Sequence, residues 1–207
     1  MSNTMKTPLV AILRGITPSE VEAHISLLID EGFDAIEIPL NSPEWETSIR
    51  LAVERFGSRA LIGAGTVLDV ASVDRLAELG CRIIVTPNTN PDVIRRAVGY
   101  GMEALPGCAT ATEAFNAIEA GAKNIKLFPS SVFGPAYVRA LKSVLPKHVQ
   151  VFAVGGVTPD NLSDYLAAGC VGAGLGSDLY KAGQEPEKTR AQARAFIDAY
   201  RRATAPR

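Results

Sequence analysis

Eight short apolar runs recur along the chain, each followed by a longer amphipathic segment, and this alternation constrains the fold more than any other feature. The runs are "LVAIL" from Leu9, "AIEIP" from Ala35, "LIGAG" from Leu61, "IIVTP" from Ile83, "EALPG" from Glu103, "IKLFP" from Ile125, "VFAVGG" from Val151 and "VGAGLGS" from Val171. Short, nearly continuous apolar runs suit strands buried on both faces, as parallel strands under helices are. The segments between them carry helix signals at both ends. Thr17-Pro18-Ser19-Glu20, Ser42-Pro43-Glu44, Asn90-Pro91-Asp92 and Thr158-Pro159-Asp160 each set a capping residue before a proline suited to the first helical position. Gly32, Gly80, Gly121 and Gly169 stand where a helix would close in a left-handed cap. Strand and helix alternating eight times with no remainder predict one (β/α)8 TIM barrel over residues 1–207, with a short flexible tail after about residue 202. A doubly wound sheet is the other fold with this alternation.

Composition removes several functions. With 47% hydrophobic and 21% charged residues and a formal net charge of −1, the chain has no electrostatic reason to bind nucleic acid or an anionic membrane. No stretch approaches the roughly 20 apolar residues of a membrane span, and the apolar run near the N-terminus is too short for a signal peptide. Cys81, Cys108 and Cys170 lie far apart in or beside apolar segments, so buried free thiols and a cytoplasmic location are expected. His24 and His148 are the only histidines, which poorly supplies a zinc site or a serine–histidine triad. Both read as solvated helix or loop residues. Trp45 reads as packing, and Arg95-Arg96 and Arg201-Arg202 as solvated helix faces.

A barrel gathers its chemistry at the carboxyl ends of its strands. Those ends hold Arg14-Gly15, Gly65-Thr66, Thr86-Pro87-Asn88, Phe128-Pro129-Ser130, Gly155-Gly156 and Gly174-Leu175-Gly176-Ser177. Two ionisable residues also stand inside apolar runs, where burial without a partner is costly. Alternation with period two sends Ile36 and Ile38 outward and Glu37 into the barrel; in the same way Ile125 and Leu127 point outward and Lys126 inward. An edge strand would explain a lone lysine, but a closed barrel has no edge. A structural ion pair is the plainer alternative to a catalytic one. The glycine-rich ends "AVGGVTPDN" and "GLGSDLY" expose backbone N–H groups suited to a phosphate. Arg14 suits a carboxylate or phosphate clamp, and Thr66 offers a hydroxyl and an N–H at a strand end. A dry lysine, a carboxylate and an anion cradle point to carbonyl chemistry through a Schiff base, with no metal and no cofactor.

The motifs "GITPSE", "EIPLNSPEW", "IGAGTVL", "VTPN", "PGCATATEA", "IKLFPS", "AVGGVTP" and "GLGSDLY" resemble, in order and across about Leu9 to Tyr180, the family of 2-keto-3-deoxy-6-phosphogluconate and 2-keto-3-deoxy-6-phosphogalactonate aldolases. The resemblance implies a metal-independent class I aldolase on a (β/α)8 barrel, a homotrimer that releases pyruvate and glyceraldehyde 3-phosphate. It makes Lys126 the Schiff-base lysine and Glu37 the general acid/base. Arg14 and Thr66 would then hold the carboxylate end, and Pro87 and Phe128 would shape the pocket. Gly155, Gly156, Gly176 and Ser177 would hold the phosphate. Two positions depart from the gluconate branch: Asn41 stands where that branch has an arginine, and Val154 where it has a threonine. Both departures resemble the galactonate branch, and a valine, unable to donate a hydrogen bond to the sugar hydroxyl, implies a different discrimination there. The rival readings are activity on the gluconate epimer, a phosphate-binding barrel isomerase or epimerase, and a sugar-phosphate sensor without turnover.

Overall fold

In a computed structural model, residues 5–205 are described. The strands are β1 (Leu9–Ile12), β2 (Ala35–Pro39), β3 (Leu61–Gly65), β4 (Ile83–Val85), β5 (Glu103–Leu105), β6 (Gly107–Cys108), β7 (Asn124–Leu127), β8 (Gln150–Val154) and β9 (Gly172–Leu175). The helices are α1 (Val21–Glu31), α2 (Trp45–Phe56), α3 (Val70–Glu78), α4 (Pro91–Gly99), α5 (Ala111–Glu119), α6 (Ser130–Lys142), α7 (Leu162–Ala167) and α8 (Pro186–Thr204). Every strand pairs in parallel with its neighbours, in the order β5-β4-β3-β2-β1-β9-β8-β7-β6. The two ends of this order, β5 and β6, are consecutive in the chain and separated by Pro106 alone. They are one strand position in two pieces, one paired with β4 and the other with β7, so the sheet closes into a barrel. Proline has no N–H to give to the ladder, which explains the break. Its carbonyl still accepts from the N–H of Lys126 at 2.9 Å. The (β/α)8 expectation holds, with the fifth strand split.

Alternation sorts the strand residues as expected. Ile36, Ile38, Ile125 and Leu127 belong to the outer core between sheet and helices. Val10, Ile12, Ala35, Leu61, Leu105, Phe152 and Val154 fill the barrel interior. Ala35 and Glu37, two apart, share the inward face; Lys126 sits beside Phe152 in register. The interior below the rim is therefore dry and packed, and that sets the electrostatics of any charge above it.

Local chemistry revises several expected helix starts. Only Pro91 of the four prolines takes the first helical position, with Asn90 capping the N–H groups of Asp92 and Val93. The Thr17 N–H and hydroxyl both donate to Glu20, at 2.9 and 2.6 Å. Thr158 and Asn161 close reciprocally, at 2.9 and 3.3 Å. Each such pair is a locked turn of its own, so α1 begins only at Val21 and α7 only at Leu162. Similarly, α2 begins at Trp45 rather than at Pro43. Gly32, Gly80, Gly121 and Gly169 adopt the left-handed conformation expected of helix ends. The tail expected to loosen after about 202 is helical to Thr204, with Arg201 and Arg202 in the last turn, where positive charge complements the helix dipole. Helix α6 is broken at Gly134 (φ 70°), just before Pro135. No described helix is long and apolar enough to cross a membrane.

Candidate active site

All of Arg14, Glu37, Thr66, Pro87, Lys126, Phe128, Val154, Gly155, Gly156, Gly176 and Ser177 line one cavity of about 470 Å3 at the carboxyl ends of the strands. Seven different strands bring them there, from β1 to β9. Ile12, Val157, Gly174, Asp178, Tyr180, Lys181 and Ala182 complete the lining without having been assigned a role from the sequence. Four of these belong to the segment after β9. Its charged residues are visible in "GSDLYKAG", but only the fold shows that the segment turns back over the opening.

Lys126 and Glu37 lie at the buried base, 6% and 2% exposed. The Lys126 ammonium nitrogen Nζ stands 4.9 Å from the centre of the Phe128 ring, which contributes to its apolar surroundings. Among the described residues no ion pair within 4.0 Å joins Lys126 to Glu37, and Oε2 of Glu37 is buried with no hydrogen-bond partner. The plain structural ion pair is therefore not what these residues form. Burial pushes the Glu37 carboxyl up to about 7, against the attraction of Lys126 and Arg14. Burial likewise pulls the Lys126 amine down to about 8, with Arg14 adding to the fall and Glu37 opposing it. In an exposed pair, attraction would move both groups the other way. Here desolvation dominates, because each charge has left water without gaining a close partner. The result is a proton donor or acceptor and an amine, both titrating near neutral pH and both facing one cavity.

On one side of the opening, Arg14 donates from Nη1 to Asn41 Oδ1 at 2.6 Å and from Nη2 to Thr66 Oγ1 at 3.5 Å. Asn41 thus orients the arginine, a contact that sequence alone did not supply. The N–H of Gly15 donates to Ser42 Oγ at 2.9 Å and ties the same two strand ends together. Thr66 holds φ at 58°, a left-handed conformation costly for a β-branched residue and characteristic of functional rims. The cap of α3 is Asp69, whose Oδ1 accepts from the Ser72 N–H at 2.8 Å, which leaves the Thr66 hydroxyl to the rim.

Opposite stands the glycine end. Gly155 and Gly156, with φ of 95° and 74°, line the cavity at the end of β8 in a left-handed backbone that glycine adopts freely. Ser130, noted in the sequence only as part of a strand end, holds this rim together. Its hydroxyl donates to Leu127 O at 2.7 Å and accepts from the Val154 N–H at 2.9 Å, while its carbonyl accepts from the Tyr165 hydroxyl at 2.9 Å. The ends of β7 and β8 are thereby fixed relative to each other, and Val154 with them.

Elsewhere, His24 is buried at 1% exposure rather than solvated, with Nδ1 3.0 Å from Thr189 Oγ1 and its ring edge-on to Tyr180. It joins α1 to α8 and to the segment after β9; its partner Thr189 lies 165 positions away in the chain, out of reach of any local pattern. His148 is exposed, and Trp45 packs on the outer core. The three cysteines are free and buried, and burial pushes all three thiols up, to about 12 for Cys81 and Cys170 and about 11 for Cys108. Such thiols are poor nucleophiles.

Comparison with known proteins supplies the context. The family described as "Aldolase: KDPG and KHG aldolase" matches residues 1–193. The 2-dehydro-3-deoxy-6-phosphogalactonate aldolase of Escherichia coli (strain K12) is 65% identical over 198 residues, 96% of this chain and 97% of that protein. The structure reported as native KDPGal superposes with a TM-score of 0.97 at 64% identity, covering 98% of each chain. A cube-shaped, highly porous cage designed by fusing symmetric oligomeric domains contains a chain with 65% identity and a TM-score of 0.95, over 96% of this chain and 73% of that one.

Proposed function

We propose the reaction from one premise: this chain belongs to the KDPG and KHG aldolase family. It is a carbon–carbon lyase that cleaves 2-dehydro-3-deoxy-6-phosphogalactonate to pyruvate and glyceraldehyde 3-phosphate. The observation that carries the mechanism is the unpaired, buried couple of Lys126 and Glu37 facing one cavity. Neutral Lys126 attacks the C2 carbonyl, and Glu37 delivers and removes the protons that turn the carbinolamine into a protonated imine and water. Glu37 then takes the proton of the C4 hydroxyl. The C3–C4 bond breaks, its electron pair moves into the imine, and glyceraldehyde 3-phosphate leaves. The resulting enamine is protonated at C3, and water frees pyruvate and the amine. Arg14 and Thr66 hold the substrate carboxylate, Pro87 and Phe128 wall the reacting carbons, and Gly155, Gly156, Gly176 and Ser177 cradle the phosphate. The enzyme works as a cytoplasmic homotrimer. Its buried free thiols suit a reducing compartment, and its likeness to a component of an assembly of symmetric oligomeric domains supports self-association.

A coupled assay of pyruvate release on the two C4 epimers tests the substrate. The galactonate epimer is expected to have the higher kcat/KM; a preference for the gluconate epimer would reverse the assignment. Val154 decides the difference, since it lines the cavity at the end of β8 with no group able to donate to the C4 hydroxyl. Val154→Thr should shift the ratio of kcat/KM toward the gluconate epimer by about tenfold or more, the scale of one hydrogen bond made to one substrate and not the other. An unchanged ratio would move specificity away from this position.

The nucleophile also predicts a pH dependence. Only the neutral amine attacks, and lowering Lys126 from 10.5 to about 8 raises the neutral fraction at pH 7 roughly 300-fold, to about one in ten. Since protonation at low pH removes the nucleophile, adduct formation with pyruvate, trapped by borohydride, should quicken about tenfold from pH 6 to 7 and level off above 8. A rate still climbing at pH 10 would mean that Lys126 is not the attacking amine.

A further inference from the structure

The glycines of the rim do not all have the same cause. Gly15, Gly155 and Gly156 have φ of 85°, 95° and 74°, and that backbone alone accounts for their having no side chain. Gly65, the last residue of β3, is different: it lies in extended strand, outside the positive-φ residues, where alanine is at ease. Space, however, is not free. A Cβ on Gly65 would lie within 3.0 Å of Oε2, Oε1 and Cδ of Glu37, and these three carboxyl atoms are its nearest neighbours. The volume left by the missing side chain is the volume that the carboxylate occupies. Independently, that carboxylate is not held in the usual way, since Oε2 is buried without a hydrogen-bond partner. Shape has to orient it where donors do not.

Gly63 makes a useful contrast. It lies opposite Glu37 in the register of β2 and β3 and faces the same way as Gly65. A Cβ there would strike the backbone carbonyl of Ile83 in β4, so the sheet itself requires that glycine. At Gly65 it is one side chain that requires it.

We propose that Gly65 is a positioning residue, whose absent side chain forms the seat in which the Glu37 carboxylate rests, held away from the Lys126 amine and facing the substrate. A methyl group in the seat would force the carboxylate out into the cavity. Moved toward Lys126, it would stabilise the ammonium and suppress the nucleophile; moved toward the substrate, it would occupy the space of the reacting carbons. The consequence for rate rests on the Schiff-base reading above, whereas the seat itself does not.

The test compares Gly65→Ala in two backgrounds, with Glu37 present and with Glu37→Ala, by thermal unfolding and by kcat/KM for pyruvate release. With Glu37 present, Gly65→Ala should lower the melting temperature by several degrees and kcat/KM at least tenfold, and move the onset of adduct formation to higher pH. In the Glu37→Ala background it should leave the melting temperature unchanged and any residual rate within twofold. If Gly65→Ala alone fails to fold while the double variant folds like Glu37→Ala, the seat stands. Equal losses in both backgrounds, failure of both to fold, or no loss with Glu37 present would overturn it. Should wild-type Lys126 form no adduct with pyruvate, the catalytic reading falls by itself, and the melting temperatures still report on the seat.

Discussion

Lys126→Ala should lower turnover on the order of 10^4-fold or more, because without the amine no imine forms and the C3–C4 bond has no electron sink. The fold should tolerate the change: the alanine stands inward beside Phe152 and removes a charge whose burial is costly. Borohydride with pyruvate should add the mass of one reduced adduct to the wild-type chain at Lys126 and nothing to the variant. Lys126→Arg separates the covalent role from an electrostatic one. An arginine keeps the positive charge but cannot form the imine, so it should be as inactive as alanine. Substantial turnover by the arginine variant would instead favour a barrel isomerase in which the cation only stabilises an enolate.

Glu37→Gln should cost about 10^2- to 10^4-fold in turnover, the usual contribution of a positioned general acid/base. The borohydride trap should still label Lys126 with pyruvate, more slowly, since the nucleophile survives and the proton shuttle does not. A variant that retained full turnover would remove Glu37 from the mechanism. Stability should move in the opposite direction to activity. The folded-state pKa of Glu37 is raised from 4.5 to about 7, so the stability linked to its protonated form is complete below about pH 4.5 and is lost as pH rises through 7. Glutamine escapes that loss. The variant should therefore gain on the order of 3 kcal/mol over wild type at pH 8, where the wild-type carboxylate is charged, and almost nothing at pH 4.5, as urea unfolding at the two pH values would measure. An equal gain at both would show that burial of the charge is not the cause.

How far the site was readable in the chain depended on whether a local rule governed the residue. Lys126 and Glu37 stood out because charges inside apolar strands break the pattern of burial, and period-two alternation then turned both inward. The glycine ends were legible because backbone needing positive φ leaves a mark in composition. Ser130, Asn41 and Tyr165 left no such mark. A serine or asparagine in a turn satisfies many local arrangements, and only the meeting of β7 with β8, or of β1 with β2, gives these their partners. His24 was misread for the same reason: its polar neighbour, Thr189, is remote in sequence. The split of the fifth strand was present as Pro106, yet a proline in a short run does not say whether the strand ends there or resumes.

The alternation of apolar and amphipathic segments, a property of the chain itself, pointed to a closed barrel, with a doubly wound sheet left as the alternative, and to a lysine and a glutamate facing inward near one rim. Their chemistry was decided by the tertiary structure alone. Whether two buried charges neutralise each other or are both pushed toward neutral pH depends on their separation and on the water excluded around them. Both are set by strands that meet only when the barrel closes, and, at Gly65, by a side chain that is not there.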